Sequence, residues 1–467
     1  MKSNAEGVMF RQEGSAKSRR GPRGVALPGW LSDPAGRLLI YCNLALLAVP
    51  ELRLGVGKLV YPTPSETGPE YVGLPFASEV VILIALAWYV ARAMASRRRL
   101  VPPREVQIAG AMAVWACAVV PVSFLLGLQE SGGMFGHFRM TLEGLCLFVV
   151  TRSLAWPAKS LRKVAWVLVM VGSWHSVVVC MDYLVPGRLP LSTNITFDAG
   201  TERFASLFNQ PSRAALVMML GALAALSLLL REGRREPFAR AITTGLFVLQ
   251  GFGVLLTQTR ASTITLALLG SLVLAIRFPA PNARLLISIA AVVLIVLVPK
   301  PSLRDEVREE LFSRYQGALR SFWPSRGEIW AVSLGAIATY PLGMGYDTLL
   351  AYTQDLTPHA HNFALQWIVM FGLPSGVALC WLIVKGLRNY RARLRLEPRS
   401  DRAGVMMAMI ALLGVMGTGM FEAFLETNVG WLFWLFLAVA FGATREQPRL
   451  VRGAAAWRTA GGERSVG

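Results

Sequence analysis

The chain has 467 residues, 54% hydrophobic and 16% charged, with a mean hydropathy of +0.48. A soluble domain carries about 25% charged residues, so this composition excludes a soluble enzyme and points to one membrane-embedded unit without a separate globular domain. The net charge of +19 does not mark a nucleic-acid partner, because Lys and Arg fall in short loops between apolar runs, where the positive-inside rule puts them.

Residues 1–35 are polar, basic and rich in Gly and Ser. They read as a disordered cytoplasmic tail, and no small-residue cleavage pattern follows the first apolar run, so the first helix is expected to be retained. Apolar runs long enough to cross a bilayer then recur near 36–54, 75–95, 106–127, 137–155, 163–184, 206–230, 239–257, 260–277, 284–299, 363–386, 403–421 and 427–443. Pro50 and Glu51 interrupt the first of these. The expected fold is all-α, a polytopic membrane protein with about 12 transmembrane helices spanning 36–443, followed by a cytoplasmic tail at 444–467.

Loop charge sets the orientation. Arg97, Arg98, Arg99 and Arg104 follow the second run, Arg152, Lys159, Arg162 and Lys163 the fourth, Arg231, Arg234 and Arg235 the sixth, and Lys385, Arg388, Arg391, Arg393 and Arg395 the tenth. Arg277 and Arg284 flank the turn after the eighth. Every even-numbered exit is basic, which predicts both termini inside and the opposite loops outside. One outer loop, 300–362, is the longest break in hydrophobicity and is expected to be structured. Leu303, Val307 and Leu311 suggest an amphipathic helix within 302–319. Ser325 and Glu328 form a capping-box pattern before Ile329 and Trp330, and that second helix should stop near Tyr340-Pro341, with Gly343 and Gly345 marking a turn.

Few residues can carry chemistry. The five cysteines (Cys42, Cys117, Cys146, Cys180 and Cys380) form no C-x-x-C pair and read as small core residues. His359 and His361 close the long outer loop without metal-ligand spacing; they are either wet loop residues or a general base at the mouth of a membrane cavity. His137 and His175 look like ordinary helix or interface residues. Arg203, Arg213, Arg260 and Arg326 lie on the side that should be poor in cations. Arg260 sits in a hinge, Thr257-Gln258-Thr259-Arg260, with almost no loop. An arginine at that depth either snorkels or faces a cavity with an anionic partner, and guanidinium forks suit phosphate oxygens. No P-loop, GxGxxG or GxSxG motif supports ATP-driven transport, hydride transfer or a hydrolase.

Four stretches in order resemble the O-antigen ligase/polymerase superfamily of membrane glycosyltransferases. They are Arg203-Phe-Ala-Ser-Leu-Phe-Asn209-Gln-Pro211, with Ser206 near the usual Gly; Leu256-Thr-Gln-Thr-Arg260; Arg326-Gly-Glu-Ile-Trp330 with Tyr340-Pro-Leu-Gly343-Met-Gly345; and His359-Ala-His361-Asn362-x-x-Leu365-Gln366 with Phe371-Gly372-Leu373. The resemblance covers 200–375. It implies an undecaprenyl-pyrophosphate-linked oligosaccharide donor in the outer leaflet of the bacterial inner membrane, and an acceptor glycan or lipid A core. It implies no cofactor and no metal. On this reading His361, Arg260 and Arg203 are catalytic, while Arg326, His359, Asn362 and Arg213 bind substrate. A flippase and a chain-length regulator would be its partners. The alternative, a polysaccharide or small-solute transporter, would favour repeated halves with interrupted helices, and no internal repeat is visible.

Overall fold

A computed structural model describes residues 31–60 apart from 51, 56 and 57; 76–96; 102–125; 134–185; 194–196; 202–232 apart from 209; 237–277; 327–345; 360–398; and 402–442 apart from 423, 426 and 428. The described elements run α1 (Asp33–Leu46), β1 (Arg53–Gly55), β2 (Lys58–Val60), α2 (Ala77–Ala95), α3 (Arg104–Leu125), α4 (Met134–Arg152), α5 (Ala158–Leu184), β3 (Asn194–Thr196), β4 (Glu202–Phe204), α6 (Pro211–Glu232), α7 (Pro237–Leu256) and α8 (Arg260–Arg277). Then come α9 (Gly327–Thr339), α10 (Phe363–Leu396), α11 (Arg402–Gly419) and α12 (Trp431–Phe441). The strands form two antiparallel ribbons, β1–β2 and β3–β4. Otherwise the described chain is helical.

Every expected span coincides with a helix except 284–299, which lies outside the described residues, as do 302–319 and the tails 1–30 and 443–467. Among the described residues, 7 helices are long and apolar enough to cross a membrane: α2, α3, α5, α6, α7, α10 and α11. Two expected spans are shorter than their apolar runs. Helix α1 has 14 residues, about 21 Å at 1.5 Å per residue, because Pro50 follows and the chain turns into the β1–β2 ribbon. Helix α12 has 11 residues, all buried. A helix apolar on every side needs protein on every side, and α4, α10 and α11 supply it. Helix α4 is diluted by Arg139 and Glu143; Arg139 pairs with Glu79 of α2 at 2.8 Å.

Helices α5, α6 and α7 pack side by side, and α11 lies across α5, α6 and α8. Small residues permit the approach: a Cβ on Gly221 of α6 would stand 2.8 Å from the Leu168 carbonyl of α5. The outward surface of α2, α3, α7 and α8 carries exposed Leu83, Ile84, Val114, Val248, Leu268 and Leu272, as lipid contact requires. The cysteines correct one expectation, since Cys42, Cys117 and Cys380 are exposed and none is buried. A thiol on a lipid-facing helix surface is as acceptable as one in the core, so hydropathy could not place them.

One end of the bundle is held by charge. Arg92 at the end of α2 pairs with Asp33 at the start of α1. Arg152 at the end of α4 pairs with Glu105 at the start of α3 at 2.7 Å, and Lys385 of α10 reaches the same carboxylate. Arg37 donates to the Ala155 carbonyl at 2.7 Å, and buried Arg393 donates to the carbonyls of Val439 and Trp156. These are the basic helix ends that the loop charges group on one side.

Candidate functional site

The opposite end of the bundle is built differently, and α10 organises it. Helices require consecutive N–H groups and right-handed backbone; Pro374 lacks the first and Gly372, at φ 78°, the second. The break frees carbonyls that an apolar environment cannot solvate. Each finds a partner. The Val369 and Met370 carbonyls accept from Met344 N at 2.9 Å and Gly345 N at 3.0 Å, while Leu373 N donates to the Pro341 carbonyl at 2.8 Å. The Phe371 carbonyl accepts from the Trp115 indole N–H at 2.7 Å. The Tyr340–Gly345 turn therefore docks, main chain to main chain, into the kink at Gly372. Gly343 is also left-handed, at φ 102°. Helix α9, which ends as expected just before Tyr340, closes a small core of Ala336, Ile337, Met344, Ala360 and Val369 over the first half of α10.

The start of α10 is equally constrained. Asn362 is its N-cap: the side-chain oxygen accepts from Ala364 N at 3.0 Å and Leu365 N at 3.1 Å, and the amide donates to the Met420 carbonyl at 3.3 Å. Gln366 reaches back and accepts from Ala360 N at 2.8 Å. Between these two caps His361 adopts φ 47°, a conformation uncommon outside glycine although histidine enters it more readily than most. The ring is half-buried. Asn362, expected to touch substrate, has both side-chain groups engaged, the oxygen in capping the first turn of α10 and the amide in tying that turn to Met420.

Helices α6 and α8 run the same way, since α7 returns between them, and both start at this end. Arg213 is the third residue of α6 and Arg260 the first of α8. A helix N-terminus carries partial positive charge and usually recruits Asp or Glu. Neither α6, α8 nor α10 has an acidic residue in its first turn. Adding a guanidinium to a positive helix end is unfavourable unless an anion answers it. The hinge before Arg260 is tight: Gln258 has φ 57°, and Thr259 N donates to the Thr257 hydroxyl at 3.2 Å. Thr259 Oγ1 and Ser262 Oγ, on either side of Arg260, are buried without a hydrogen bond among the described residues. Arg260 itself is exposed.

The three N-termini meet around the C-terminal end of α11. Met420 bonds to Asn362, Gly417 lies against Thr265 in the second turn of α8, and Thr418 and Glu422 share a pocket with Gln210, Ser212 and Arg213. Phe363 stacks on Phe424 beneath it. The structure thus brings Arg213, Arg260, His361 and Asn362 to one end of the bundle. Arg203 lies in β4, one short segment before α6; Arg326 and His359 lie outside the described residues. The sequence reading passed over Glu422 and Thr418 as site residues, because nothing local distinguishes them from other residues at a helix end. Among the described residues no three His, Cys, Asp or Glu cluster so as to share a metal ion.

An all-α membrane protein with a cationic mouth ringed by helix N-termini is the class that fold and site define. Residues 245–380 match the family model of the O-antigen ligases. That segment contains the Arg260 hinge, the docked turn and the His361–Leu373 stretch, and the match supports the likeness to the O-antigen ligase/polymerase superfamily. No curated protein matches the chain.

Proposed function

We propose that this protein is a metal-independent glycosyltransferase of the bacterial inner membrane, a polymerase or ligase of O-antigen or exopolysaccharide. It moves an undecaprenyl-pyrophosphate-linked glycan to a sugar hydroxyl, on a further repeat unit or on lipid A core. The observation that carries the reading is the gathering of the α6 and α8 N-termini, with Arg213 and Arg260, beside His361 at one end of the bundle. The basic ion-paired end of the bundle faces the cytoplasm, which leaves both termini inside and the site at the periplasmic surface. The loop 300–362 lies outside and contributes Arg326 and His359 to substrate binding.

The chemistry follows from the charges. His361 accepts the proton of the acceptor hydroxyl, whose oxygen bonds to the anomeric carbon as the bond from that carbon to the pyrophosphate oxygen breaks. A single in-line displacement of this kind inverts the anomeric centre. The departing pyrophosphate gains charge, and Arg260, the α8 N-terminus and the hydroxyls of Thr259 and Ser262 answer it, with Arg203 and Arg213 alongside. Asn362 and Gln366 hold His361 in place, so the ring is not reoriented during the step.

Membranes carrying the protein, supplied with lipid-linked donor and acceptor, should release undecaprenyl pyrophosphate and extend the acceptor. Arg260→Ala should lower that rate by about 10²–10³, the cost of one oxyanion donor. Arg260→Lys should recover little, because a point charge replaces a fork; full activity in the lysine variant would leave Arg260 only an anchor. In a chain with its native cysteines replaced, Arg320→Cys should react with an impermeant maleimide from outside and Arg395→Cys only after permeabilisation. The reverse pattern would put the site on the side without donor.

A further inference from the structure

Beyond the residues that would meet substrate, one buried side chain governs the approach to α6. His175, in the middle of α5, is 0% exposed. Its Nε2 stands 2.7 Å from the Leu47 carbonyl at the end of α1. A carbonyl only accepts, so Nε2 carries the proton, and in the neutral ring Nδ1 is left as an acceptor. Nδ1 lies 2.9 Å from Ser206 Oγ; the hydroxyl's alternative acceptor, the His175 carbonyl, is at 3.5 Å. Ser206 has φ 57°, which a residue with a Cβ adopts only at a cost. It is the pivot of the segment that carries the chain from Arg203 into α6. Phe204, Ala205, Ser206, Leu207 and Phe208 are all buried; Phe208 packs on the His175 ring at 4.8 Å and Phe204 on Tyr183 at 5.8 Å.

We infer that His175 is a positioning residue: by accepting the Ser206 hydroxyl proton it holds Ser206 left-handed, and so fixes the course of the Arg203–Pro211 segment and the first turn of α6 with Arg213. The effect on transfer rests on the function proposed above, but the effect on the segment's course does not. The ring is fully buried and acts on the segment through Ser206 rather than on a reacting atom. Its two nitrogens do separate jobs, anchoring to α1 through Nε2 and latching the segment through Nδ1, and substitutions can divide them. In His175→Gln the amide falls near Nε2, which keeps the Leu47 bond and removes the acceptor facing Ser206. In His175→Asn the amide oxygen falls near Nδ1, which keeps the latch and removes the anchor.

Both variants, alone and combined with Ser206→Gly, are tested in the full chain in membranes. Glycine takes the left-handed conformation without help, so it makes the latch unnecessary. His175→Gln should lose at least tenfold in transfer rate against the wild type, with the loss in kcat rather than in acceptor KM, but no more than twofold against Ser206→Gly. His175→Asn should keep several-fold more activity than His175→Gln. A second readout is independent of catalysis: the maleimide reaction rate of Gln210→Cys in a chain lacking its native cysteines. It should rise several-fold with His175→Gln and return towards its starting value when Ser206→Gly is added. Equal losses in the two Ser206 backgrounds, or an unchanged labelling rate, would overturn the latch and leave His175 a packing residue. If the wild type shows no transfer at all, the proposed function fails, and the labelling pattern still decides the latch.

Discussion

Gly372→Ala is the sharpest test of how the site is held. At φ 78° and ψ 173°, a region essentially confined to glycine, a side chain is strained by about 1–3 kcal/mol. The added Cβ would stand 2.3 Å from the carbonyl carbon of Leu342 and 2.5 Å from its oxygen. These are main-chain atoms, so nothing swings aside, and the Tyr340–Gly345 turn must move away. That movement breaks the bonds from Met344 N, Gly345 N and Leu373 N, each worth about 1 kcal/mol net. The sum is roughly 4–6 kcal/mol by those figures, a large share of a typical folding free energy of about 5–15 kcal/mol. Thermal unfolding in detergent should show a clear drop in midpoint, and polysaccharide assembly in a complemented deletion strain should fall with it, since His361 sits directly before the N-cap of α10. Gly245→Ala is the control. Its Cβ would meet nothing within 4 Å, and in a helix interior alanine is favoured over glycine by up to about 1 kcal/mol. If Gly372→Ala melts with the control and assembles polysaccharide normally, the docked turn does not hold the site.

Asn362→Ala should cost about 0.5–2 kcal/mol for the lost cap and most of the activity, whereas Asn362→Asp, which keeps the capping oxygen, should retain the melting midpoint; equal destabilisation in both would assign the effect to the Met420 bond. His361→Ala should lower assembly by about 10²–10⁴, the usual contribution of a general base, with membrane expression unchanged on a blot, and His359→Ala should lose much less; the reverse order would make His359 the base. Arg393→Ala should take the guanidinium donor from the Trp156 carbonyl, at about 1–3 kcal/mol for the group left unpaired, while the Val439 carbonyl keeps its bond from Gly442 N. It should therefore lower the yield of folded protein while the surviving fraction keeps its specific activity, and a selective loss of activity would contradict its placement at the far end of the bundle.

The sequence by itself determined where the helices lie, because the transfer of apolar surface out of water depends on local composition and needs no knowledge of neighbours. It also disclosed the arginines, since a cation beside an apolar run is conspicuous in one dimension, and the four motif stretches in order. Where those stretches act on one another, only the tertiary structure decided. Gly343 and Gly372 explain each other through a turn seated in a kink, and neither glycine alone implies it. The 427–443 run reads like any other span, yet α12 is short and enclosed, because burial on all sides depends on what α4, α10 and α11 present to it. His175 looked like one more polar residue in an apolar helix. Its two hydrogen bonds reach Leu47 and Ser206, far away along the chain, and the left-handed backbone that gives the second bond its purpose is set by packing between helices rather than by any run of neighbouring residues.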